Sequence, residues 1–306
     1  MHAAVIGAGA LGAVYGVRLA ATGTTVSFVV REARAQKGGA LQLEQVDHDK
    51  AKHALASPSY VTAVPSDADV VLVTVRQDQL GLELTKLLAP SSAPVVVLTP
   101  MFEEDAKQLE AAIGRPVFAA MPSVVAYDKN GTIRYWLPRA ATTALEAKDA
   151  PPALEALTKA LVAAGIDAKL KTNVLAENVA TTVSFMPIAF GLDAAGGVDA
   201  LLGDKHLLRN SLDAVKEMRD LAKKVGTAAP WASLLLHFVG PLMIRAGIAI
   251  AKSRAPEAIA YVEDHFGRKL HAQNVRMAAR MLALAQREGV RAEELANLVH
   301  RLNEVT

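Results

Sequence analysis

An α/β Rossmann-type N-terminal domain followed by an all-α C-terminal domain is the fold this sequence predicts, on three observations. Strand-length apolar runs alternate with helical patterns through the first half. A G-x-G-x-x-G follows the first of those runs directly. From Asn173 onward no convincing strand interrupts long stretches of helical period. The chain of 306 residues exceeds a single core, since domains usually hold roughly 100–200 residues, so two domains are expected. They are placed at residues 1–170, binding a dinucleotide, and 171–306, helical and suited to substrate binding or dimerisation.

The early strands are read at residues 3–6, 26–30, 70–75, 95–98 and 117–120. Each is a short apolar run without polar alternation, as parallel strands covered on both faces require. A helix over 10–21 closes at Gly23, and an amphipathic one over 103–113 closes at Gly114, glycine being the residue that ends helices in the left-handed conformation. Beyond Ala120, Asn130-Gly131 stands between two β-prone runs and signals a hairpin. A strand near 139–144, a helix after Pro151-Pro152 and a short strand at 167–170 complete what reads as an antiparallel extension. The helical remainder is punctuated by Gly191, Gly196-Gly197, Gly226, Pro230, Gly240-Pro241 and Pro256.

Composition excludes several functions. With 33 basic and 31 acidic residues and a formal charge of +2, the global field favours neither nucleic acid nor an anionic membrane as partner. The absence of cysteine removes disulfides, thiolate nucleophiles and Cys-ligated metal centres. No signal-peptide pattern opens the chain, so a cytoplasmic location is expected. Residues 231–251 are long enough to span a bilayer, but His237, Pro241 and Arg245 interrupt them, and a central arginine costs about 2.5–3.5 kcal/mol to insert. A buried helix pair is expected there instead, with His237 a hydrogen-bonded core histidine. Asp47, His48 and Asp49 are adjacent in a loop and do not converge on a cation without further ligands, so no metal site is expected.

The glycine motif is Gly7, Gly9 and Gly12. Gly7 permits a tight turn, Gly9 lets a pyrophosphate approach the backbone, and Gly12 lets helix and strand pack closely. The amides of Ala10 and Leu11 at the helix start then face the phosphates. At the end of the second strand, where an acid commonly binds the adenosine ribose, stands Arg31, with Arg34 one turn later. A guanidinium fork suits a 2′-phosphate and a carboxylate repels one, which favours NADP (NADPH) over NAD; the nearby Glu32 is the acid that argues for NAD.

VIGAGALGAVYG, VSFVVREAR, VLVTVRQDQL and NVLAENVATTVSFMPIAF together resemble the ketopantoate reductase family along nearly the whole chain. That family reduces a 2-oxo acid by hydride transfer from NADPH, with a lysine on the first helix of the second domain as general acid. The resemblance places Arg76 and Gln79 at two cofactor-approaching positions, usually lysine and glutamine. It puts Asn178 where the catalytic lysine stands, Thr182 and Met186 at two substrate asparagines, Thr99-Pro100-Met101 at an asparagine–glycine pair, and Gln273 at a late glutamate. Asn178 can hydrogen-bond a carbonyl but has no proton to give, so ketopantoate itself is not the expected substrate.

The residues offer another donor. In the helix read from Pro256 onward, His265, Lys269 and Gln273 recur every four residues and share one face, with Arg276 and Arg280 continuing the stripe. Such a stripe lines a cleft for an anionic substrate or is simply a solvated basic face. His265 or a desolvated Lys269 would act as general acid, and Asn178 and Thr182, also four apart, as hydrogen-bond donors. The expected function is therefore an NADPH-dependent oxidoreductase acting on a small, carboxylate-bearing carbonyl or imine compound other than ketopantoate. The alternative is a catalytically inactive NADP-binding sensor or partner-docking protein. A homodimer through the helical domain is compatible with either.

Overall fold

The computed structural model describes residues 1–47, 50–138, 141–228, 240–254, 256–266 and 270–304. The chain divides into two compact units, Met1–Leu175 and Ala176–Thr306, so the division falls within the first turn of a long helix rather than at 170. Val174 explains this: it is buried with the first unit's core, and the Glu146 carboxylate accepts the amides of Asn173 and Val174 at 3.2 and 2.8 Å.

The first unit holds twelve strands among its described residues. Eight form one sheet in the order β12-β11-β8-β7-β6-β1-β2-β5, with β1 at His2–Ile6, β2 at Thr25–Val29, β5 at Ser59–Val61, β6 at Val70–Val73, β7 at Val95–Val97, β8 at Val117–Met121, β11 at Thr143–Glu146 and β12 at Ala168–Lys171. All neighbours run parallel except β8 and β11. β1 lies between β2 and β6, so the chain moves outward on one side of β1 and then returns to build the other. That reversal opens a crevice at the carboxyl ends of β1 and β6, where ligands of open α/β sheets bind.

Burial explains the parallel strands. Ala3 and Val5 of β1 pack on the face carrying α1 (Ala10–Ala20) and α5 (Pro152–Ala163), while Ala4 and Ile6 pack on the face carrying α3 (Leu82–Leu88) and α4 (Glu103–Ile113). Helix α2 spans Glu32–Lys37. Gly114 closes α4 at φ +68°, and Pro152 opens α5 at its first position, where a missing N–H costs nothing.

The Asn130-Gly131 hairpin forms, both residues at positive φ, +55° and +85°, as a two-residue turn demands. It does not extend the main sheet. Its strands β9 (Val125–Lys129) and β10 (Thr132–Trp136) join β3 (Leu41–Gln45) and β4 (Lys52–Leu55) in a second sheet ordered β4-β3-β10-β9. Leu41, Leu43, Ala126, Ile133 and Tyr135 of this sheet share one core with α1, which is therefore covered from two sides. Polar bonds reinforce the contact. Arg18 donates to Ala164 O at 2.7 Å and to the Tyr135 hydroxyl at 3.0 Å, and its Nη1 meets His53 Nε2 at 2.7 Å. Beneath α1 the Tyr15 hydroxyl meets Thr143 Oγ1 at 2.7 Å, which meets Ser123 Oγ at 2.9 Å; burial pushes the Tyr15 phenol well above its ordinary range. Ser123, near the end of β8, is thus committed to a buried hydroxyl chain.

The described part of the second unit is helical: α6 (Val174–Ala195), α7 (Val198–Gly203), α8 (Lys205–Val225), α9 (Pro241–Arg254), α10 (Pro256–Phe266), α11 (His271–Arg287) and α12 (Glu293–Asn303). α6 is apolar around most of its circumference, and two thirds (67%) of its most apolar window is buried. By length and composition it alone among the described helices could cross a membrane. A Cβ on Gly191 would stand 2.1 Å from Ser211 Oγ, so glycine sets the approach of α6 to α8. Asp204 caps α8 by accepting the amides of His206 and Leu207, and Glu217 does the same for Glu294 and Leu295 at the start of α12.

Two expectations for this unit are corrected. The single helix read after Pro256 is two, α10 and α11, so four-residue spacing does not carry His265 and Gln273 onto one continuous face. The helix pair expected to be buried at 231–251 is exposed over its described part, with Leu242 and Met243 at 83% and 57%. Polar bonds hold α9 there, from Arg245 to Leu202 O and from Lys252 to Asp199. Trp231 and His237 lie outside the described residues.

The Arg18 network generates a pH prediction. Burial, aided by the Arg18 guanidinium, holds the His53 ring below its ordinary value. The unfolded chain then binds a proton at about pH 6.5 that the folded chain resists, so stability is full above that pH and falls as pH drops through it. Between pH 7 and 5 the wild-type melting temperature should fall more steeply than that of His53→Gln, read by thermal denaturation at closely spaced pH values.

Candidate active site

The glycine turn follows β1 at the crevice. Gly7 adopts φ +98° and donates its N–H to Val29 O at 3.0 Å, which binds the turn to the end of β2. A Cβ on Gly12 would lie 2.0 Å from Gly7 O and 2.5 Å from Thr74 Oγ1, so no other residue lets α1 come this close. The Thr74 hydroxyl donates towards Ile6 O and Gly7 O, at 2.9 and 3.1 Å, and locks the turn to the end of β6. Nothing local in the sequence marks the role of Thr74, which simply follows the valine run.

Gly9 differs from its neighbours. It is exposed, and no atom lies within 4 Å of where its Cβ would be. It is the N-cap of α1, with no side-chain cap and no acid in the first turn. The first amides of α1, Ala10 and Leu11 among them, therefore keep the unmet donors and positive dipole end that suit a phosphate. Deeper in the helix, Gly16 admits the Phe28 ring, which a Cβ would meet at 2.4 Å.

β2 delivers the arginines beside this turn, since Ile6 and Val29 are register partners. Arg31 is extended, exposed, and without an ion pair or hydrogen bond from its side chain among the described residues. Arg34 is held: its Nη2 donates to the Tyr60 hydroxyl at 3.0 Å, and its guanidinium carbon sits 5.0 Å from the Tyr60 ring centre. The Tyr60 hydroxyl in turn donates to Gly39 O at 3.1 Å. Glu32 is engaged on α2 by Gln36 Nε2, at 3.2 Å.

After β6 the pattern differs from a free cation. Arg76 makes two 3.1 Å bonds to Asp78, and the Gln79 side chain accepts the Arg76 amide at 3.1 Å. A 3-10 turn over Gln77–Gln79 brings these residues together. The pair is half exposed, so it is weak and can open to an anion. Gln77 Nε2 and the Phe102 amide share Asp105 Oδ2 at 3.2 and 2.9 Å, and Thr99 donates to Val75 O. The loops after β6 and β7 are thereby tied into one wall.

In the second unit Asn178 and Thr182 share one face of α6. Asn178 is 4% exposed, and its Nδ2 has no partner among the described residues; Thr182 is half-buried. A buried amide without an acceptor costs about 1–3 kcal/mol, so Asn178 is better matched by a bound acceptor than by packing. Lys269 and the side chain of His265 lie outside the described residues, and Gln273 is half-buried on α11. Asp47 accepts Gln45 Nε2 and the Leu137 amide at 2.7 and 2.8 Å; His48 and Asp49 lie outside the described residues. Among the described residues no group of three or more His, Asp or Glu is placed to hold a metal.

Residues 3–142 match the family described as ketopantoate reductase PanE/ApbA. That match lies wholly within the first unit and covers less than half of the chain. No curated protein sequence matches the chain. Among solved structures, 2-dehydropantoate 2-reductase from Geobacter metallireducens is similar over 100% of both chains, with 17% identity and a TM-score of 0.69. A PanE/ApbA family ketopantoate reductase from Ralstonia eutropha covers 99% of this chain and 98% of its own, with 19% identity and a TM-score of 0.69. D-mandelate dehydrogenase, in a ternary structure with NADH and anilino(oxo)acetate, covers 99% and 97%, with 15% identity and a TM-score of 0.63. At these identities the likeness establishes the fold alone: the two-domain fold of these structures extends over the whole chain.

Two glycine variants separate packing from binding. Gly12→Ala drives a Cβ into backbone and should cost at least about 2 kcal/mol, read as a lower melting temperature. Gly9→Ala meets no atom and should cost only about 0.5–1 kcal/mol as a poorer cap, while weakening any dinucleotide binding at this turn at least about tenfold by filling the phosphate approach, measured by calorimetry.

Proposed function

We propose that this chain is an NADPH-dependent reductase of a small carbonyl or imine compound that bears a carboxylate and is not ketopantoate. The observation that carries the reading is the uncapped start of α1 at Gly9 beside the uncommitted guanidinium of Arg31. The amides of Gly9, Ala10 and Leu11 would hold the pyrophosphate, Arg31 and Arg34 the 2′-phosphate, and Arg76 with Gln79 a further phosphate or ribose oxygen. Bound NADPH supplies a hydride. In the second unit Asn178 and Thr182 supply hydrogen bonds, and the segment 265–273 supplies the proton, His265 and Lys269 being the donors its sequence offers. A cytoplasmic homodimer completes the reading.

Asn178 favours one other reading, a protein that binds NADP without turnover, because an amide gives no proton. Stopped-flow absorbance with NADPH and a panel of 2-oxo acids, with and without amines, separates the two. NADPH oxidation with at least one member supports the reductase, and none with any member defeats it.

Cofactor choice is tested independently. NADPH should bind at least about tenfold tighter than NADH, as one charge-assisted contact set worth about 1.5–3 kcal/mol provides. Arg31→Asp should bring the two within about threefold by the same arithmetic. Equal affinities for the wild type in a fluorescence titration remove the role given to Arg31.

A further inference from the structure

Arg31 and Arg34 stand one turn apart in the first unit, the Arg34 amide donating to Arg31 O at 2.9 Å, but only one of the two guanidinium groups is fixed. Arg31 is exposed, without a side-chain bond among the described residues. Arg34 Nη2 donates to the Tyr60 hydroxyl at 3.0 Å, and its guanidinium carbon lies 5.0 Å from the Tyr60 ring centre, within reach of a cation–π contact. Tyr60 is itself anchored. Its hydroxyl gives its one proton to Gly39 O at 3.1 Å, and its ring centre lies 6.0 Å from that of Phe28. Phe28 is fully buried and fills the space above Gly16 of α1. The two rings meet because Phe28 and Tyr60 are register partners on β2 and β5, which puts both side chains on one face of the sheet. A line of contacts thus runs from the core under α1 to a single guanidinium beside the end of β2.

Packing leaves most of that guanidinium unused. Arg34 spends one of five N–H donors on Tyr60 and makes no ion pair among the described residues, while the nearby Glu32 is engaged by Gln36 instead. Arg34 is only half-buried, so the rest of the fork can meet a ligand. An arginine that must be ordered as it grips an anion binds about two- to tenfold more weakly than one held beforehand. Tyr60 removes that difference for Arg34.

We propose that Tyr60 determines cofactor specificity, by holding the Arg34 guanidinium ready for the 2′-phosphate of NADPH; this rests on the NADPH reading above. Tyr60 is a positioning residue that acts on the phosphate only through Arg34, and Arg31 closes on the same group from its free position. NADH carries a hydroxyl where NADPH carries that phosphate, so it gains nothing from the arrangement.

The test is a fluorescence titration of the full chain with NADPH and with NADH. Tyr60→Phe keeps the ring and loses both hydroxyl bonds, and should weaken NADPH binding about threefold; Tyr60→Leu loses the ring as well and should weaken it about tenfold. NADH affinity should stay within about twofold in both variants. In an Arg34→Ala background, Tyr60→Leu should change NADPH affinity less than about twofold, since a residue that acts through another has no effect once that other is gone. Equal losses for NADPH and NADH mean that Tyr60 touches the adenosine itself, and an undiminished loss without Arg34 means that it acts alone. Either result overturns the proposal, as does wild-type NADPH affinity in the Tyr60 variants, and Tyr60→Phe carries the test if Tyr60→Leu does not fold. A wild type that prefers NADPH and is unmoved by these substitutions leaves the NADPH reading standing. A wild type that binds both dinucleotides equally, or neither, defeats that reading, and the proposal falls with it.

Discussion

The approach of Gly12 to the carbonyl of Gly7 is the constraint on which the first unit turns. At 2.0 Å from a would-be Cβ, it leaves no room for a side chain, and it brings α1 against the ends of β1 and β6 with Thr74 as clamp. Once α1 is so placed, Gly16 and Phe28 continue the contact, and the second sheet covers the helix from its other side. The same geometry leaves the first amides of α1 unmet at the reversal point of the sheet. Packing and anion binding are two consequences of one turn.

Charge is distributed unevenly around this frame. Arg18, at the far end of α1, is fully used in structure, joined to a backbone carbonyl, a histidine and a tyrosine. Arg34 is partly used, held over Tyr60, and Arg76 is loosely neutralised by Asp78. Arg31 alone of these four is uncommitted among the described residues. The second unit differs: Asp193, fully buried, has donors on one oxygen only among the described residues.

Much of the first unit was legible because its signals are local. Valine runs without alternation mark strands covered on both faces, and Gly114, Asn130-Gly131 and Pro152 each mark a boundary through their own backbone angles. The second sheet was not legible. β4 alternates exposed and half-buried residues over four positions, and β3 meets β10 across some ninety residues, Leu43 pairing with Ile133. Neither leaves a periodicity that a window of sequence can detect. The late helices failed in the opposite sense, since their continuous 3.6 period hid the fresh helix start at Leu270, whose backbone is not helical.

The site divides along the same line. The glycine turn and the arginine after β2 could be read directly, because steric freedom and a fixed charge are properties of a residue and its near neighbours. The pairing of Arg76 with Asp78 and the hold of Tyr60 on Arg34 could not. By itself the sequence determined where the backbone turns, which runs are covered and which residues carry charge. Tertiary structure alone decided which of those charges remain free, because a hydrogen bond's partner and its burial are set by chain segments that meet only when the protein folds.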